Sequence, residues 1–179
     1  KRFTETLVER ARALRLGDGL GESSQVGPVI NEAARKRIHE YVEIGKGEGA
    51  RLALGGELAT EGALARGWFY RPTIFDGVTP GMRIAQEEIF GPVLAILTVD
   101  GLDEAIRVLN GTPYGLSSSI YTRDVNAAMR AIRDLEAGIT YVNGPTIGAE
   151  VHLPFGGVKD TGNGHREASH TVLDIFSEW

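Results

Sequence analysis

The first part of the chain carries apolar side chains at helical spacing, with charged side chains between them. Apolar residues recur at positions 3, 7, 11 and 14, which predicts a surface helix that ends near Gly17. Asn31 suits the N-cap of a second helix, because its side chain can accept a hydrogen bond from a free backbone N–H group. The residues of this helix expected to face the core are Ala34, Ile38, Tyr41 and Val42.

Two extended segments follow the second helix. Arg51–Leu54 reads as a short strand that ends at a pair of glycines. Residues 68–75 also read as extended, but Pro72 interrupts them. Because proline cannot donate to a strand ladder, this segment is expected at a sheet edge or at a bend.

From residue 93 the pattern changes to alternating strands and helices. Residues 93–99 form a nearly continuous apolar run, which predicts a strand buried on both faces. Residues 116–121 and 138–142 read as two further strands. Helices are expected over residues 103–110 and from the capping residue Asp124 to about Leu135. This order is typical of right-handed βαβ crossovers, so the predicted fold class is α/β with a parallel sheet.

The segment after Asn143 lacks a clear period for some twenty residues. It contains proline, phenylalanine and paired glycines among hydrophobic residues, and we expect an ordered, functional loop. A last helix is predicted over residues 166–176.

Composition narrows the class of protein. The 179 residues are enough for one domain with a core, and a net charge of −5 argues against nucleic acid as a main partner. No stretch is apolar and long enough to cross a bilayer. The absence of cysteine excludes disulfides and cysteine-based metal sites, and a cytoplasmic location is expected by default. The spacing of the four histidines predicts no metal site.

Two segments carry candidate chemistry: QEEIFGP at residues 86–92 and PFGGVKDTGNG at residues 154–164. Taken alone, the first is a charged loop with a Gly-Pro turn, although a carboxylate there could accept hydrogen bonds from ribose hydroxyls. The second is a glycine-rich turn. It does not fit a P-loop, because Lys159 is not followed by serine or threonine.

Both segments resemble signature regions of the NAD(P)-dependent aldehyde dehydrogenases. Shorter matches in the same order, such as VGPVI at 26–30 and GITYVN at 138–143, extend the resemblance over nearly the whole chain. The resemblance implies NAD or NADP as cofactor, with Glu88 on the nicotinamide ribose and Phe90 against the nicotinamide. It also implies that Phe155 lines the aldehyde pocket. Ile147 and His152 are candidate substrate contacts in the variable loop before it.

The chemistry of that family runs through a cysteine nucleophile, and this chain has no cysteine. We therefore expect residues 1–179 to be the C-terminal portion of the catalytic domain, with the nucleophile, the general base and most of the nucleotide-binding domain upstream. The full-length protein is expected to be a homo-oligomer, a dimer or a tetramer, that oxidises an aldehyde through a cysteine thioester. The segments GAEVHLPFGG and GNGHREA are similar to bacterial members that act on small semialdehydes, such as 2-oxoglutarate semialdehyde. The chain alone is predicted to be inactive.

Two other interpretations stay open at this point. The natural protein could be a non-catalytic structural relative that lacks the nucleophile. It could also be an acylating dehydrogenase that passes the thioester to coenzyme A or phosphate. A cysteine upstream of Lys1 would argue against the non-catalytic relative. A requirement for coenzyme A or phosphate would favour the acylating dehydrogenase over the aldehyde dehydrogenase.

Overall fold

The computed structural model describes residues 1–148 and 150–178 and shows an α/β protein, as predicted. The α-helices in this part of the chain are Arg2–Arg12 (α1), Glu32–Gly47 (α2), Arg83–Gln86 (α3), Leu102–Asn110 (α4), Val125–Asp134 (α5) and Val172–Phe176 (α6), and Gly62–Arg66 forms a 3₁₀ helix. The strands are Arg51–Leu54 (β1), Leu58–Ala59 (β2), Phe69–Tyr70 (β3), Thr73–Asp76 (β4), Val93–Ala95 (β5), Tyr114–Gly115 (β6), Ser117–Ile120 (β7), Ile139–Val142 (β8) and Val158–Lys159 (β9). The chain divides into two compact units, Lys1–Thr98 and Val99–Trp179.

Helix α2 begins where the sequence predicts. The Asn31 side chain accepts a hydrogen bond from the backbone N–H of Ala34 at 2.8 Å, which confirms the predicted cap. Ile38 and Val42 are fully buried, and Ala34 and Tyr41 are half-buried. The predicted inward face of this helix is therefore correct.

The sheet of the first unit has the order β1-β4-β5. Strand β4 pairs antiparallel with β1, where Leu52 lies opposite Phe75, and parallel with β5, where Thr73 lies opposite Val93. The predicted edge position is thus wrong for Thr73–Asp76, which is the central strand of this sheet, whereas Phe69–Tyr70 belongs to a two-stranded sheet with β2. Pro72 lies between β3 and β4, so it takes no N–H group away from the central strand.

The core of the first unit lies between α2 and this sheet. Gly45 of α2 allows the close approach, because a Cβ there would lie 3.0 Å from Ile84 Cδ1 and 3.1 Å from Phe75 Cζ. The buried residues of this cluster are Ile38, Val42, Ala50, Tyr70, Phe75, Val78, Ile84 and Ile89.

Strand β5 is shorter and more exposed than its sequence predicts. It covers only Val93–Ala95, and Leu94 is 48% exposed, so the prediction of a strand over residues 93–99 buried on both faces is wrong. The reason is that β5 pairs only with β4 among the described residues and packs one face on the core. Successive side chains point to opposite faces of a strand, so Leu94 points away from that core.

The second unit contains the βαβ crossover that the sequence predicts. Strands β7 and β8 are parallel, from Ser117 opposite Ile139 to Ile120 opposite Val142, with α5 between them. The side chain of Asp124 accepts a hydrogen bond from the N–H of Asn126 at 2.8 Å, which confirms the cap of α5. The expectation that β5 joins β7 and β8 in one sheet is wrong, because β5 pairs with β4.

The last predicted helix is also shorter than expected. Helix α6 covers only Val172–Phe176 instead of residues 166–176. Ala168 and Ser169 have φ angles of 64° and 52°, which lie in the left-handed region and are incompatible with a right-handed helix.

Replacing the capping residue tests the assignment of α2. We expect Asn31→Ala to lower the free energy of unfolding by about 1 kcal/mol, because the N–H of Ala34 loses its partner. Urea denaturation monitored by circular dichroism measures the change. Lys36→Ala, at an exposed position in the middle of the same helix, should have little effect. An equal loss in both variants would contradict the capping role.

Candidate functional site

The loop that follows α3 is fixed in its middle and presents two side chains outward. Ile89 is only 8% exposed and belongs to the core cluster, and its carbonyl accepts a hydrogen bond from Arg37 Nη2 at 2.9 Å. Its neighbours Glu88 and Phe90 are exposed, with Phe90 at 73%. The two sequence-predicted residues are therefore both exposed, one on each side of a buried anchor in the chain.

The backbone of this loop is strained at Phe90. Its φ angle of 55° lies in the left-handed region, which costs a residue with a side chain about 1–3 kcal/mol. The next residue must be glycine, since a Cβ on Gly91 would come within 2.5 Å of Ile38 Cδ1. Such strain persists where the surroundings fix the backbone, and it is frequent at functional sites.

Glu87, the first glutamate of the segment, is held by two other elements. Arg83 donates to both of its carboxylate oxygens, from Nε at 2.7 Å and from Nη2 at 2.8 Å. The Tyr41 hydroxyl of α2 donates to the same carboxylate at 2.6 Å. The Arg83 guanidinium, and after it the Tyr41 hydroxyl, lower the pKa of Glu87 from its ordinary value of 4.5 to about 2. The same hydrogen bond is the main reason that the pKa of Tyr41 is raised above its ordinary value.

In the second unit, Phe155 is half-buried and lines a cavity. Its N–H donates to the Glu167 carbonyl at 2.6 Å, and its carbonyl accepts from the Glu167 N–H at 2.8 Å. The cavity has a volume of about 590 Å³ and combines apolar with polar side chains. Side chains that line it besides Phe155 include Leu116, Thr161, Asn163, His165 and Phe176.

The other two predicted substrate residues lie elsewhere on the surface of this unit. Ile147 is 80% exposed and His152 is also exposed, and neither is among the residues that line the cavity. Gly148, next to Ile147, accepts a hydrogen bond at its carbonyl from the Tyr141 hydroxyl at 2.7 Å. The structure therefore does not bring these two side chains together with Phe155 around one cavity, and their role stays a prediction.

The turn after Phe155 depends on a lysine to which the sequence assigned no role. Lys159 Nζ donates to the carbonyls of Asn110 at 2.8 Å and Thr112 at 3.0 Å, and it lies 3.1 Å from the carboxylate of Glu136. Arg166 adds a hydrogen bond from Nη1 to the Gly157 carbonyl at 2.9 Å. The available signal was a lysine directly after two glycines and a valine, because a charge that becomes half-buried requires partners.

The glycine-rich segment after Lys159 forms the turn that the sequence predicts. The N–H of Thr161 donates to the Val158 carbonyl and the N–H of Gly162 donates to the Lys159 carbonyl, both at 3.2 Å. Among residues 1–148 and 150–178, no group of three or more histidine, aspartate or glutamate side chains could hold a metal ion. In that same part of the chain, no helix is long and apolar enough to cross a membrane.

Gly91 offers a direct test of the loop geometry. We expect Gly91→Ala to lower the free energy of unfolding by about 1–3 kcal/mol, because the added Cβ would collide with the fully buried Ile38. Gly81→Ala, where a Cβ meets nothing within 4 Å, is the matched control. Chemical denaturation compares the two variants, and equal stabilities would show that the loop can move away from α2.

The pKa of Glu87 predicts a dependence of stability on pH. Because the folded-state pKa of about 2 lies below the ordinary value of 4.5, the stabilisation is fully present above pH 4.5 and is lost as the pH falls towards 2. We expect a stability difference between the unmodified protein and Glu87→Gln that is small, because both side chains of the ion pair are exposed, and that shrinks over this window. Urea denaturation at several pH values measures it, and a constant difference would contradict the assigned ion pair.

Comparison with known proteins connects these features to one family. The sequence model described as "Aldehyde dehydrogenase family" matches residues 1–179. Betaine aldehyde dehydrogenase of Mesorhizobium japonicum is 43% identical over 177 residues, which are 99% of this chain and 36% of that protein. Alpha-ketoglutaric semialdehyde dehydrogenase of Bacillus subtilis is 38% identical over 177 residues, with the same shares of both chains.

A solved structure shows the same fold. The crystal structure of betaine aldehyde dehydrogenase from Staphylococcus aureus in complex with NAD+ superposes with a TM-score of 0.94 and 32% identity. The match covers 98% of this chain and 34% of that chain. The chain thus spans about a third of the length of the proteins it matches, and the position of this third within their length stays a prediction.

Proposed function

The chain belongs to the aldehyde dehydrogenase family, and on that basis we propose that the protein containing it oxidises an aldehyde to the carboxylic acid with a nicotinamide dinucleotide, NAD or NADP. The observation that carries the proposal is the loop at residues 86–92. Its buried anchor Ile89 fixes an exposed carboxylate and an exposed aromatic ring two residues apart.

This pair fits the nicotinamide end of such a cofactor. The carboxylate of Glu88 can accept hydrogen bonds from ribose hydroxyls, as acidic residues do in other dinucleotide sites. The ring of Phe90, 73% exposed, offers a flat apolar face for an aromatic ring. When bound, the cofactor supplies the hydride acceptor. The role of these two residues is to hold and orient it.

The cavity beside Phe155 is an argument for a small substrate. We propose that Phe155 contacts the aldehyde, and that Ile147 and His152 contact its far end when it is bound. A semialdehyde of a small acid is the proposed substrate class, in keeping with the resemblance of residues 148–157 to enzymes of that kind and with the name of the Bacillus subtilis relative.

The rest of the reaction requires groups outside these residues. Since the 179 residues contain no cysteine, we propose that the nucleophilic thiolate and its general base come from the remainder of the protein. The chain by itself should therefore show no dehydrogenase activity. A homo-oligomeric, cytoplasmic enzyme completes the proposal, which size-exclusion chromatography and cell fractionation of the full-length protein would check.

A screen of aldehydes with the full-length protein tests the proposal. Reduction of NAD+ or NADP+ should be seen with at least one small semialdehyde, without added coenzyme A or phosphate. A strict requirement for either acceptor would make the protein an acylating relative instead. No cofactor reduction with any aldehyde would overturn the enzymatic proposal.

The cofactor role of Glu88 has its own test. We expect Glu88→Gln to raise the KM for the dinucleotide by about tenfold, because a charged acceptor forms a stronger hydrogen bond than an amide. Glu40→Gln, at an exposed position on α2, is the control and should leave KM unchanged. An unchanged KM in Glu88→Gln would remove this residue from the binding site.

A further inference from the structure

Glu87, the first glutamate of the loop, has no role in the proposed site, yet three hydrogen bonds hold it in place. We propose that Tyr41, Arg83 and Glu87 form a brace that sets the positions of Glu88 and Phe90. The brace thereby controls affinity for the nicotinamide riboside half of the dinucleotide. This inference rests on the proposed function and deepens it.

The brace joins three separate elements. Arg83 lies at the start of α3, Tyr41 lies on α2, and Glu87 begins the loop. The two parallel N–H···O bonds from Arg83 fix the plane of the carboxylate as well as its distance. Arg83 is itself held, because its guanidinium lies 5.5 Å from the Tyr41 ring centroid and its backbone N–H donates to the Glu48 carboxylate at 3.0 Å.

The brace acts directly on the backbone that leads to Glu88. The N–H of Glu87 ends α3 by donating to the Arg83 carbonyl at 2.8 Å, and Glu87 itself is extended, with φ of −112° and ψ of 144°. Two residues further, Ile89 is fixed by burial and by its hydrogen bond from Arg37. Glu88 therefore lies between two fixed points. If the first point is released, Glu88 and the strained Phe90 gain freedom that the cofactor would have to remove on binding.

A role in global stability alone does not account for this arrangement. The side chains of Arg83 and Glu87 are 51% and 37% exposed, and ion pairs at that exposure contribute little to the stability of a fold. The brace should thus contribute little to the free energy of unfolding. It still fixes the local geometry of the loop that carries Glu88. This difference makes the two roles separable by experiment.

The test compares two ligands in the full-length protein. NAD+ contains the nicotinamide riboside, whereas ADP lacks it. We expect Glu87→Gln, Arg83→Gln and Tyr41→Phe each to weaken NAD+ binding by roughly 3- to 10-fold, the usual range for losing one ordinary hydrogen bond, with ADP binding unchanged. Arg83→Lys keeps the charge but loses the two-pronged contact, so its affinity should fall between those of the unmodified protein and Arg83→Gln. Isothermal titration calorimetry gives both dissociation constants.

A matched control separates the brace from any other surface ion pair. Glu43 on α2 accepts a hydrogen bond from Lys46 at 2.7 Å, with side-chain exposures of 55% and 39%, outside the loop. Glu43→Gln should change the affinity for neither ligand. The melting temperature of each variant should stay close to that of the unmodified protein.

Three results would overturn the inference. Unchanged NAD+ affinity in Glu87→Gln would show that the brace does not act on the cofactor. Equal weakening of NAD+ and ADP, together with a lower melting temperature, would show a general structural role. Failure of the unmodified protein to bind any nicotinamide dinucleotide would remove the proposed function and the inference with it, which distinguishes this case from the other two.

Discussion

Close packing of helix α2 is the constraint on which the first unit depends. At one end of the helix, Gly45 lets it approach Phe75 of the central strand and Ile84 of α3. Nearer its start, the fully buried Ile38 fills the space next to Gly91, where a side chain would not fit. One helix therefore sets both the sheet and the backbone of the candidate cofactor loop. Because packed cores resist small displacements, the packing of the core fixes the position of the loop backbone.

The elements that could be predicted from the sequence depend on local signals. The cap at Asn31 and the cap at Asp124 both hold as expected, because a capping side chain needs only its own neighbours in the chain. The β7–α5–β8 crossover was predictable for a related reason, since a short βαβ unit is nearly the only way to join two adjacent parallel strands.

The failures concern partners that are distant in the sequence. An apolar run predicts a strand but not its neighbours, so the pairing of β5 with β4 and the exposure of Leu94 could not be foreseen. The same limit applies to the candidate site. The resemblance identified Glu88 and Phe90, but Tyr41 is 46 residues from Glu87 and carries no motif that points to it. The left-handed backbone conformation of Ala168 could not be predicted from the sequence either, because alanine ordinarily favours a right-handed helix.

The pairing of β6 with β9 has a consequence for the order in which the second unit folds. Gly115 and Val158 form this ladder across a loop that contains the whole β7–α5–β8 crossover. Closing a long loop costs more entropy than forming local contacts, so such pairings tend to form late. We therefore expect the crossover to fold first and the turn at Phe155 to be assembled last. During synthesis and refolding, the cavity lined by Phe155 would then be the final part of this unit to close.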